Sequence, residues 1–200
     1  MINILVVINQ GVNYMGNLYK VILKIFNIKY GKKLKLSGIP VIVQSKNSKI
    51  KIGENVRINS SLFSNLIGLY QRTIIVTRTC NSEIIIGDNV GISGTTIYAR
   101  KNIKIGDNTL IGANTKIIDN DFHPIEIRYR NENNKAKIRS KEIIIGKNCF
   151  IGCNVLILKG TNLGDGCVVG AGSVVCGEFP NDCVIAGNPA KIIRKVDNEK

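Results

Sequence analysis

The sequence contains a single histidine, His123, which lies in the stretch DNDFHPI at residues 119–125. Two carboxylates, Asp119 and Asp121, precede it, and Pro124 follows it directly. An imidazole near neutral pKa can remove a proton from a weak nucleophile such as an alcohol, and a nearby carboxylate can hold the ring in the required tautomer. His123 is therefore a candidate general base, with Asp121 as the residue expected to orient it. A lone histidine is more often structural, so the element that carries it matters.

The segment around His123 interrupts a six-residue repeat. From Ile145 the chain reads IGKNCF, IGCNVL, ILKGTN, LGDGCV, VGAGSV and VCGEFP, and the same phase occurs from Ile86, Ile92, Ile105 and Ile111. A period of six matches neither an α-helix nor a simple strand alternation. It predicts a triangular solenoid in which an aliphatic residue points inward from each flat side. Gly, Asn and Asp would occupy the corners, where a positive φ is needed.

These hexads resemble those of the hexapeptide-repeat acyltransferases over about residues 50–195. The resemblance implies a left-handed parallel β-helix, a handedness that the spacing alone does not determine. The expected fold class is all-β, with the solenoid over residues 50–186. A short N-terminal helical cap in residues 1–49 would precede it, and a C-terminal tail in residues 187–200 would follow. Residues 119–142 are polar and too long for a corner, so they are expected to form an extruded active-site loop.

The loop is similar to that of the galactoside- and maltose-type sugar O-acetyltransferases, which place a catalytic histidine followed by proline in the corresponding segment. The resemblance implies direct transfer of an acetyl group from acetyl-CoA to a sugar hydroxyl, with His123 as the base and no metal. Ser93 stands where those enzymes carry an asparagine that meets the acceptor and the thioester. This departure indicates that the acceptor differs from those sugars.

The same resemblance implies a donor site beside the C-terminal coils. Cys153 and Ala171 would line the pantetheine arm of acetyl-CoA, and Cys176 and Gly177 would lie further along it. At the last two positions the sugar enzymes carry a hydroxyl and a basic residue, which weakens the case for a phosphate contact there. Small side chains in this region are equally suited to the corners of the solenoid.

The ending AGNPAKIIRK at residues 186–195 resembles the G-x-P-A-basic exit of the family. If this tail is helical, Lys191 and Arg194 are spaced at i, i+3 and project to one side. Their charges would then suit the phosphates of coenzyme A as charge-assisted contacts. A solvated charged tail is the alternative.

Composition limits the partners that the protein is expected to have. Lys and Arg number 28 against 14 for Asp and Glu, a net charge of +14. This excess favours anionic partners, although it could equally reflect a lysine-rich proteome. No basic block with interleaved aromatics occurs, so nucleic acid is not expected. Six cysteines without a CxxC pair, and no secretory or membrane-spanning segment, predict reduced thiols and a cytoplasmic location.

Lysine-rich residues 12–33 show an apolar helical face. The expected role of this helix is to cover the open end of the solenoid. The alternative is a basic amphipathic helix that makes a peripheral contact with an anionic membrane, at its inner face. In the hexapeptide-repeat acyltransferases, active sites form between neighbouring subunits. The resemblance therefore also implies a homotrimer.

The resulting hypothesis is an acetyl-CoA-dependent O-acetyltransferase that modifies a sugar in the biosynthesis of a surface polysaccharide such as capsule or O-antigen. Transfer to the amine of a nucleotide-linked amino sugar, or to the hydroxyl of a xenobiotic, are alternatives on the same fold. A zinc hydratase would need three histidine ligands per site, which one His per chain does not supply. A non-catalytic scaffold is the remaining alternative, and failure to bind acetyl-CoA would support it.

Overall fold

The structure is a computed structural model that describes residues 2–197, with side chains described from Tyr14 onward. Residue 1 of the expected cap and residues 198–200 of the expected tail lie outside the described residues. The described chain forms a triangular solenoid of short strands, preceded by one long helix and interrupted by one extruded loop. The predicted fold class, a left-handed parallel β-helix of hexapeptide repeats, is confirmed.

The elements are as follows in chain order. The first are α1 (Ile2–Ile25), β1 (Lys29–Tyr30), β2 (Lys35–Ser37), β3 (Val41–Gln44), β4 (Lys49–Ile52), β5 (Arg57–Asn59), β6 (Ile74–Thr77), β7 (Glu83–Ile86), β8 (Gly91–Ser93) and β9 (Thr96–Ala99). Next come β10 (Asn102–Ile105), β11 (Leu110–Ile111), β12 (Lys116–Ile118), α2 (Ile127–Asn131), a 3₁₀ turn (Lys135–Lys137), β13 (Ile143–Ile145), β14 (Phe150–Ile151) and β15 (Leu156–Leu158). The last are β16 (Asn162–Leu163), β17 (Val168–Val169), β18 (Val174–Val175), β19 (Glu178–Phe179), β20 (Cys183–Gly187) and β21 (Ala190–Lys195).

Each flat side of the triangle is one sheet. Sheet A contains β1, β4, β7, β10, β13, β16 and β19; sheet B contains β2, β5, β8, β11, β14, β17, β20 and β21; sheet C contains β3, β6, β9, β12, β15 and β18. Equivalent strands of successive coils pair in parallel, so that Ile86 is aligned with Ile52 on one side and with Ile105 on the other. We name the corners AB, BC and CA after the sheets that they join.

Stacked aliphatic side chains fill the interior, because residues along a strand alternate between inward and outward positions. Ile58, Ile92, Ile97, Ile117 and Ile143 are each at most 1% exposed. Full burial of one such side chain stabilises a fold by roughly 1.5–3 kcal/mol. Since nearly every coil adds several, the hexad pattern is the main source of stability.

Asparagines at the AB corners take up the left-handed conformation that the repeat predicts. Asn55, Asn89, Asn108 and Asn148 have φ between 53° and 59°. Asparagine tolerates this region better than most residues. Their side-chain amides form a ladder along the solenoid, with donor–acceptor distances of 2.9, 3.0 and 3.1 Å. The ladder satisfies polar groups that would otherwise disrupt the stacking of coils.

Helix α1 packs against the first coil. A Cβ at Gly16 would lie 2.1 Å from the carbonyl oxygen of Leu36, so only glycine allows this approach. Leu23 is 1% exposed and belongs to the core. Because β1 begins at Lys29, the solenoid starts before the expected boundary at residue 50.

The outward side of α1 remains apolar. Exposed large hydrophobic residues on it are Tyr14, Met15, Leu18, Val21, Ile22 and Ile25. None of the helices within residues 2–197 is both long and apolar enough to span a membrane. All six cysteines fall in the described range and are free thiols.

Candidate active site

The extruded loop between β12 and β13 is closed at its base. The backbone N–H of Lys141 donates to the carbonyl of Asp119 at 3.0 Å, and that of Asp121 donates to the carbonyl of Arg139 at 3.1 Å. Asn120 and Ser140 form an antiparallel bridge between these two bonds. The loop is therefore held at corner CA by backbone pairing, and α2 and the 3₁₀ turn lie within it.

Asp119 anchors the loop to the coil before it. Its side chain is 0% exposed, and its two carboxylate oxygens accept the backbone N–H groups of Arg100 at 2.7 Å and Lys101 at 2.6 Å. The side-chain amide of Asn120 donates to the same carboxylate at 3.1 Å. Burial raises the pKa of the Asp119 carboxyl above its ordinary value, while these hydrogen bonds act in the opposite direction. Asp119 is thus a structural carboxylate.

A tight turn presents His123. The backbone N–H of His123 donates to the carbonyl of Asp121 at 2.6 Å. Phe122 has a φ of 59°, which is rare for a bulky residue and indicates that the turn is imposed by its surroundings. The Phe122 ring lies 4.9 Å from the ring of Tyr98, measured between centroids. His123 is exposed, whereas Pro124, which follows it, is buried.

His123 lines a cavity of about 410 Å³ at corner CA. The walls come from two successive coils and from the loop, which is why residues distant in sequence meet there. The cavity is lined by Arg78, Tyr98, Arg100, Phe122, His123, Pro124, Asn133, Lys135 and Ile138. The arrangement combines one base, three cations and two aromatic rings in a space large enough for a small polar molecule.

Asp121, the predicted orienting residue, pairs with a different partner. Its Oδ1 forms an ion pair with Nζ of Lys159, which lies at corner CA of the next coil. Its Oδ2 is buried and has no hydrogen-bond partner among the residues that the structure describes. The structure therefore shows Asp121 fixing the position of the turn that carries His123, and contact with the imidazole ring stays a prediction.

Ser93 lies away from His123 within one chain. It ends β8 at corner BC, is 8% exposed, and its hydroxyl oxygen accepts the side-chain amides of Asn59 at 3.1 Å and Asn65 at 3.2 Å. Asn65 belongs to a loop over residues 60–73 that covers this corner. Ser93 does not line the cavity of His123.

The predicted donor residues divide between two corners. Cys153 and Ala171 lie at corner BC in successive coils, where the N–H of Gly172 donates to the carbonyl of Cys153 at 2.9 Å. Cys176 and Gly177 lie at corner CA after β18. Cys176 is exposed, and its thiol lies 3.8 Å from the carbonyl oxygen of Lys159. Within one chain, Cys153 and Ala171 therefore do not line the same cleft as Cys176 and Gly177.

The tail is a strand, in contrast to the helix considered above. β21 pairs antiparallel with β20, so that Lys191 lies beside Ala186 and Arg194 lies beside Val184. The pairing shifts register by one residue next to Val184. Residues side by side across two strands share a face. In a regular strand, Lys191 and Arg194 would lie on opposite faces, because they are three residues apart. The bulge between them brings both side chains to the outward face.

Some of the cysteines are buried within the solenoid. Cys149 and Cys167 lie inside corner AB, and burial raises the pKa of the Cys149 thiol to about 11. This thiol stays protonated at neutral pH. Within the described residues, no group of three or more His, Cys, Asp and Glu side chains is placed to hold a metal ion.

The hexad pattern did not predict the cations and the tyrosine of the cavity. Arg78 directly follows β6, and Arg100 directly follows β9. Both strands belong to sheet C, so the two arginines occupy the same corner as the loop that follows β12. Aligning the coils by their sheet C strands, rather than searching for hexads alone, would have placed these residues beside His123.

The fold and the repeat define a structural class: the chain folds as a left-handed parallel β-helix built from hexapeptide repeats. A family model described as the hexapeptide repeat of succinyl-transferase matches residues 102–128 and 142–176. The second matched range contains the hexads that begin at Ile145. The first includes His123 and the start of the extruded loop.

Two curated relatives are similar over about half of the chain. A protein of Escherichia coli K12, named as a lipopolysaccharide biosynthesis O-acetyl transferase, is 37% identical over 122 residues, which are 58% of this chain and 62% of that protein. A protein of Staphylococcus aureus, named as an acetyltransferase, is 38% identical over 117 residues, which are 49% of this chain and 57% of that protein. The similarity thus spans less than two thirds of either relative.

Two solved structures share the fold. An N-acyltransferase from Bacillus cereus, in complex with dTDP-4-amino-4,6-dideoxyglucose and coenzyme A, is 22% identical with a TM-score of 0.68, and the match covers 90% of each chain. A galactoside acetyltransferase in complex with coenzyme A is 25% identical with a TM-score of 0.54, and the match covers 85% of this chain and 66% of that one.

Proposed function

We propose that the protein is an acetyl-CoA-dependent O-acetyltransferase that acts on a sugar hydroxyl in the biosynthesis of a surface polysaccharide. The observation that carries this proposal is that the only histidine of the sequence lines a cavity at the extruded loop of a hexapeptide-repeat solenoid. The names of the Escherichia coli relative and of the galactoside acetyltransferase support acetyl transfer to a sugar. The coenzyme A bound to the galactoside acetyltransferase supports acetyl-CoA as the co-substrate.

The proposed reaction is a direct transfer. The imidazole of His123 removes the proton of an acceptor hydroxyl as its oxygen attacks the thioester carbonyl of acetyl-CoA. The carbon–oxygen bond forms, the tetrahedral intermediate collapses, and the carbon–sulfur bond breaks. The departing coenzyme A thiolate then receives the proton from the imidazolium. One base per site suffices for these reaction steps, which agrees with the single histidine of the chain.

A homotrimer would complete the site. Ser93, Cys153 and Ala171 lie at corner BC, whereas His123 and Cys176 lie at corner CA. If corner CA of one subunit faces corner BC of its neighbour, the two sets form opposite walls of one cleft. Lys191 and Arg194, both exposed on the outward face of β21, would then be available to the phosphates of the coenzyme.

The proposed site of reaction is the cytoplasm, at the inner face of a membrane. The exposed apolar side of α1 supports a peripheral contact there, because Leu18, Val21 and Ile25 lie on one helical face that is flanked by Lys20 and Lys24. A helix of this composition lies in the interfacial region of an anionic bilayer. A polysaccharide precursor carried on a lipid would be presented at the same surface.

The test is acetyl transfer from acetyl-CoA to a panel of glycosides, nucleotide sugars and amino sugars, read by mass spectrometry. The proposal expects an alkali-labile ester that is absent with His123→Ala. An alkali-stable amide would instead support transfer to an amino sugar, an alternative that agrees with the name of the Bacillus cereus N-acyltransferase. Full activity of His123→Ala would remove His123 from the mechanism.

A further inference from the structure

The cavity that contains His123 is strongly cationic. Arg78, Arg100 and Lys135 all line it, and none of its lining residues is an aspartate or a glutamate. Arg78 and Arg100 come from successive coils, while Lys135 comes from the 3₁₀ turn of the loop. The Arg100 guanidinium donates to the carbonyl of Lys135 at 3.4 Å, so two of the three cations are connected.

The carboxylates near the loop are committed to other partners. Asp119 is buried and accepts backbone N–H groups, which leaves it unable to reach into the cavity. Asp121 pairs with Lys159, and Glu126 pairs with Arg139. Across the described residues, no ion pair involves any of the three cavity cations. The charges of Arg78 and Lys135 are therefore available to a ligand, while Arg100 also interacts electrostatically with the buried Asp119 carboxyl.

Aromatic rings border the same space. Tyr98 and Phe122 line the cavity together, with their ring centroids 4.9 Å apart. Ring faces of this kind pack against the apolar face of a sugar ring, while a low-dielectric wall strengthens the attraction between nearby cations and an anion. The cavity thus offers one surface for a ring, one for an anion and one base.

We propose that the acceptor carries a phosphoryl group, held by Arg78, Arg100 and Lys135 while its hydroxyl meets His123. Three cations without an ion-pair partner suit the double charge of a phosphoryl group better than the single charge of a carboxylate. The inference rests on the proposed acetyl transfer and narrows its substrate from sugars in general to phosphorylated ones. Sugar phosphates, nucleoside-diphosphate sugars and lipid-linked sugar diphosphates share this chemistry.

The phosphates of acetyl-CoA are a poor match for this cavity. The long pantetheine arm separates them from the thioester, which must come close to His123 for the reaction to occur. An anion bound in the same small cavity as the base therefore belongs to the acceptor. This assignment makes a distinct kinetic prediction, because loss of a cation should affect the KM of the acceptor and leave the KM of acetyl-CoA unchanged.

The experiment compares four acceptors that share one sugar ring: a methyl glycoside, the 1-phosphate, the nucleoside-diphosphate sugar and the uronic acid. Arg78→Gln and Lys135→Gln are tested against Arg57→Gln and Lys104→Gln, two exposed cations on β5 and β10 outside the cavity. The cavity variants should raise the KM of phosphorylated acceptors roughly tenfold or more, because each loses a charge-assisted contact. Added salt should raise the wild-type KM in the same direction.

Several outcomes would overturn the proposal. The methyl glycoside or the uronic acid could be the better acceptor, the cavity and control variants could behave alike, or the cavity variants could raise the KM of acetyl-CoA. If wild-type protein acetylates no acceptor, the proposed function fails, and calorimetric binding of the sugar 1-phosphate still tests the anion site. Weaker binding of the sugar 1-phosphate to Arg78→Gln and Lys135→Gln than to the wild type supports the anion site. Equal binding to variants and wild type, or no binding to the wild type, refutes the anion site.

Discussion

At the scale of single residues, Asp119 is the point at which the solenoid holds the loop of His123. Replacement of Asp119 by Asn removes one of two carboxylate acceptors for the N–H groups of Arg100 and Lys101. A buried donor left without an acceptor costs roughly 1–3 kcal/mol. Asp119→Asn should therefore lower the free energy of unfolding by about that amount, measured by urea denaturation. Glu132→Gln, an exposed carboxylate of the same loop, is the control and should be nearly neutral.

The pH dependence of this difference has a definite sign. Because burial raises the native pKa of Asp119 above its ordinary value, the native state binds the proton more tightly than the unfolded state. The resulting stability is complete below the ordinary pKa and is lost as pH rises through the raised native pKa. The stability of the wild type relative to Asp119→Asn should thus fall with rising pH across this window. If the stability of the wild type relative to Asp119→Asn grew with rising pH, the native pKa of Asp119 would not be raised.

The residue types, together with the resemblance of the loop, indicated His123 as the candidate base, yet they could not predict what surrounds it. Arg78 and Arg100 reach the cavity because stacking of coils superimposes corners that are far apart in sequence. Proximity in sequence suggested that Asp121 faces the imidazole, whereas its carboxylate pairs with Lys159 of the following coil. Contacts between coils depend on register, and a hexad pattern with an inserted loop does not specify that register.

At the scale of elements, α1 presents one face to the solenoid and leaves another apolar face uncovered. Leu18 is 62% and Val21 is 55% exposed on that face. Vesicles that contain phosphatidylglycerol should bind the protein more strongly than neutral phosphatidylcholine vesicles, because lysines flank the apolar side chains. The double variant Leu18→Glu, Val21→Glu should weaken co-sedimentation roughly tenfold or more, since each buried apolar side chain contributes about 1.5–3 kcal/mol.

Leu62→Glu is the matched control for α1, because Leu62 is 64% exposed in the loop at corner BC. It should bind vesicles as the wild type does. Equal binding of the double variant would show that α1 is not the contact. A change in oligomeric state, seen by light scattering without any loss of vesicle binding, would instead assign the apolar face to a contact between subunits.

The sequence pattern predicted elements well where hexads are complete and poorly at both ends. Ile-Gly-x-Asn hexads begin at Ile86, Ile105, Ile111, Ile145 and Ile151, and there the strands and inward residues follow the repeat. The first coil begins at Lys29 without such a hexad, so the pattern alone places its residues in the cap. β21 was considered as a helix because its charges fit i, i+3 spacing, but the free edge of β20 offers backbone hydrogen bonds that favour a strand.

At the scale of the whole molecule, the residues proposed for one reaction lie at two corners of the same triangle. His123 lies at corner CA and Ala171 at corner BC, so a single chain does not bring them together. The proposed cyclic trimer would bring them together, because a heterologous interface joins different surfaces of neighbouring subunits. Ala171 is exposed, so a larger side chain there is compatible with folding but would occupy the space proposed for the coenzyme arm.

This geometry predicts complementation between two inactive chains. His123→Ala and Ala171→Trp should each be inactive alone, and their co-expression with different tags should restore activity in the mixed species. With random assortment, an intact His123 meets an intact Ala171 at about one interface in four, so roughly a quarter of wild-type activity is expected. Separately purified variants, mixed without subunit exchange, are the control. If mixed oligomers form but stay inactive, both residues serve a site within one chain, and the proposed cleft between corners CA and BC is wrong.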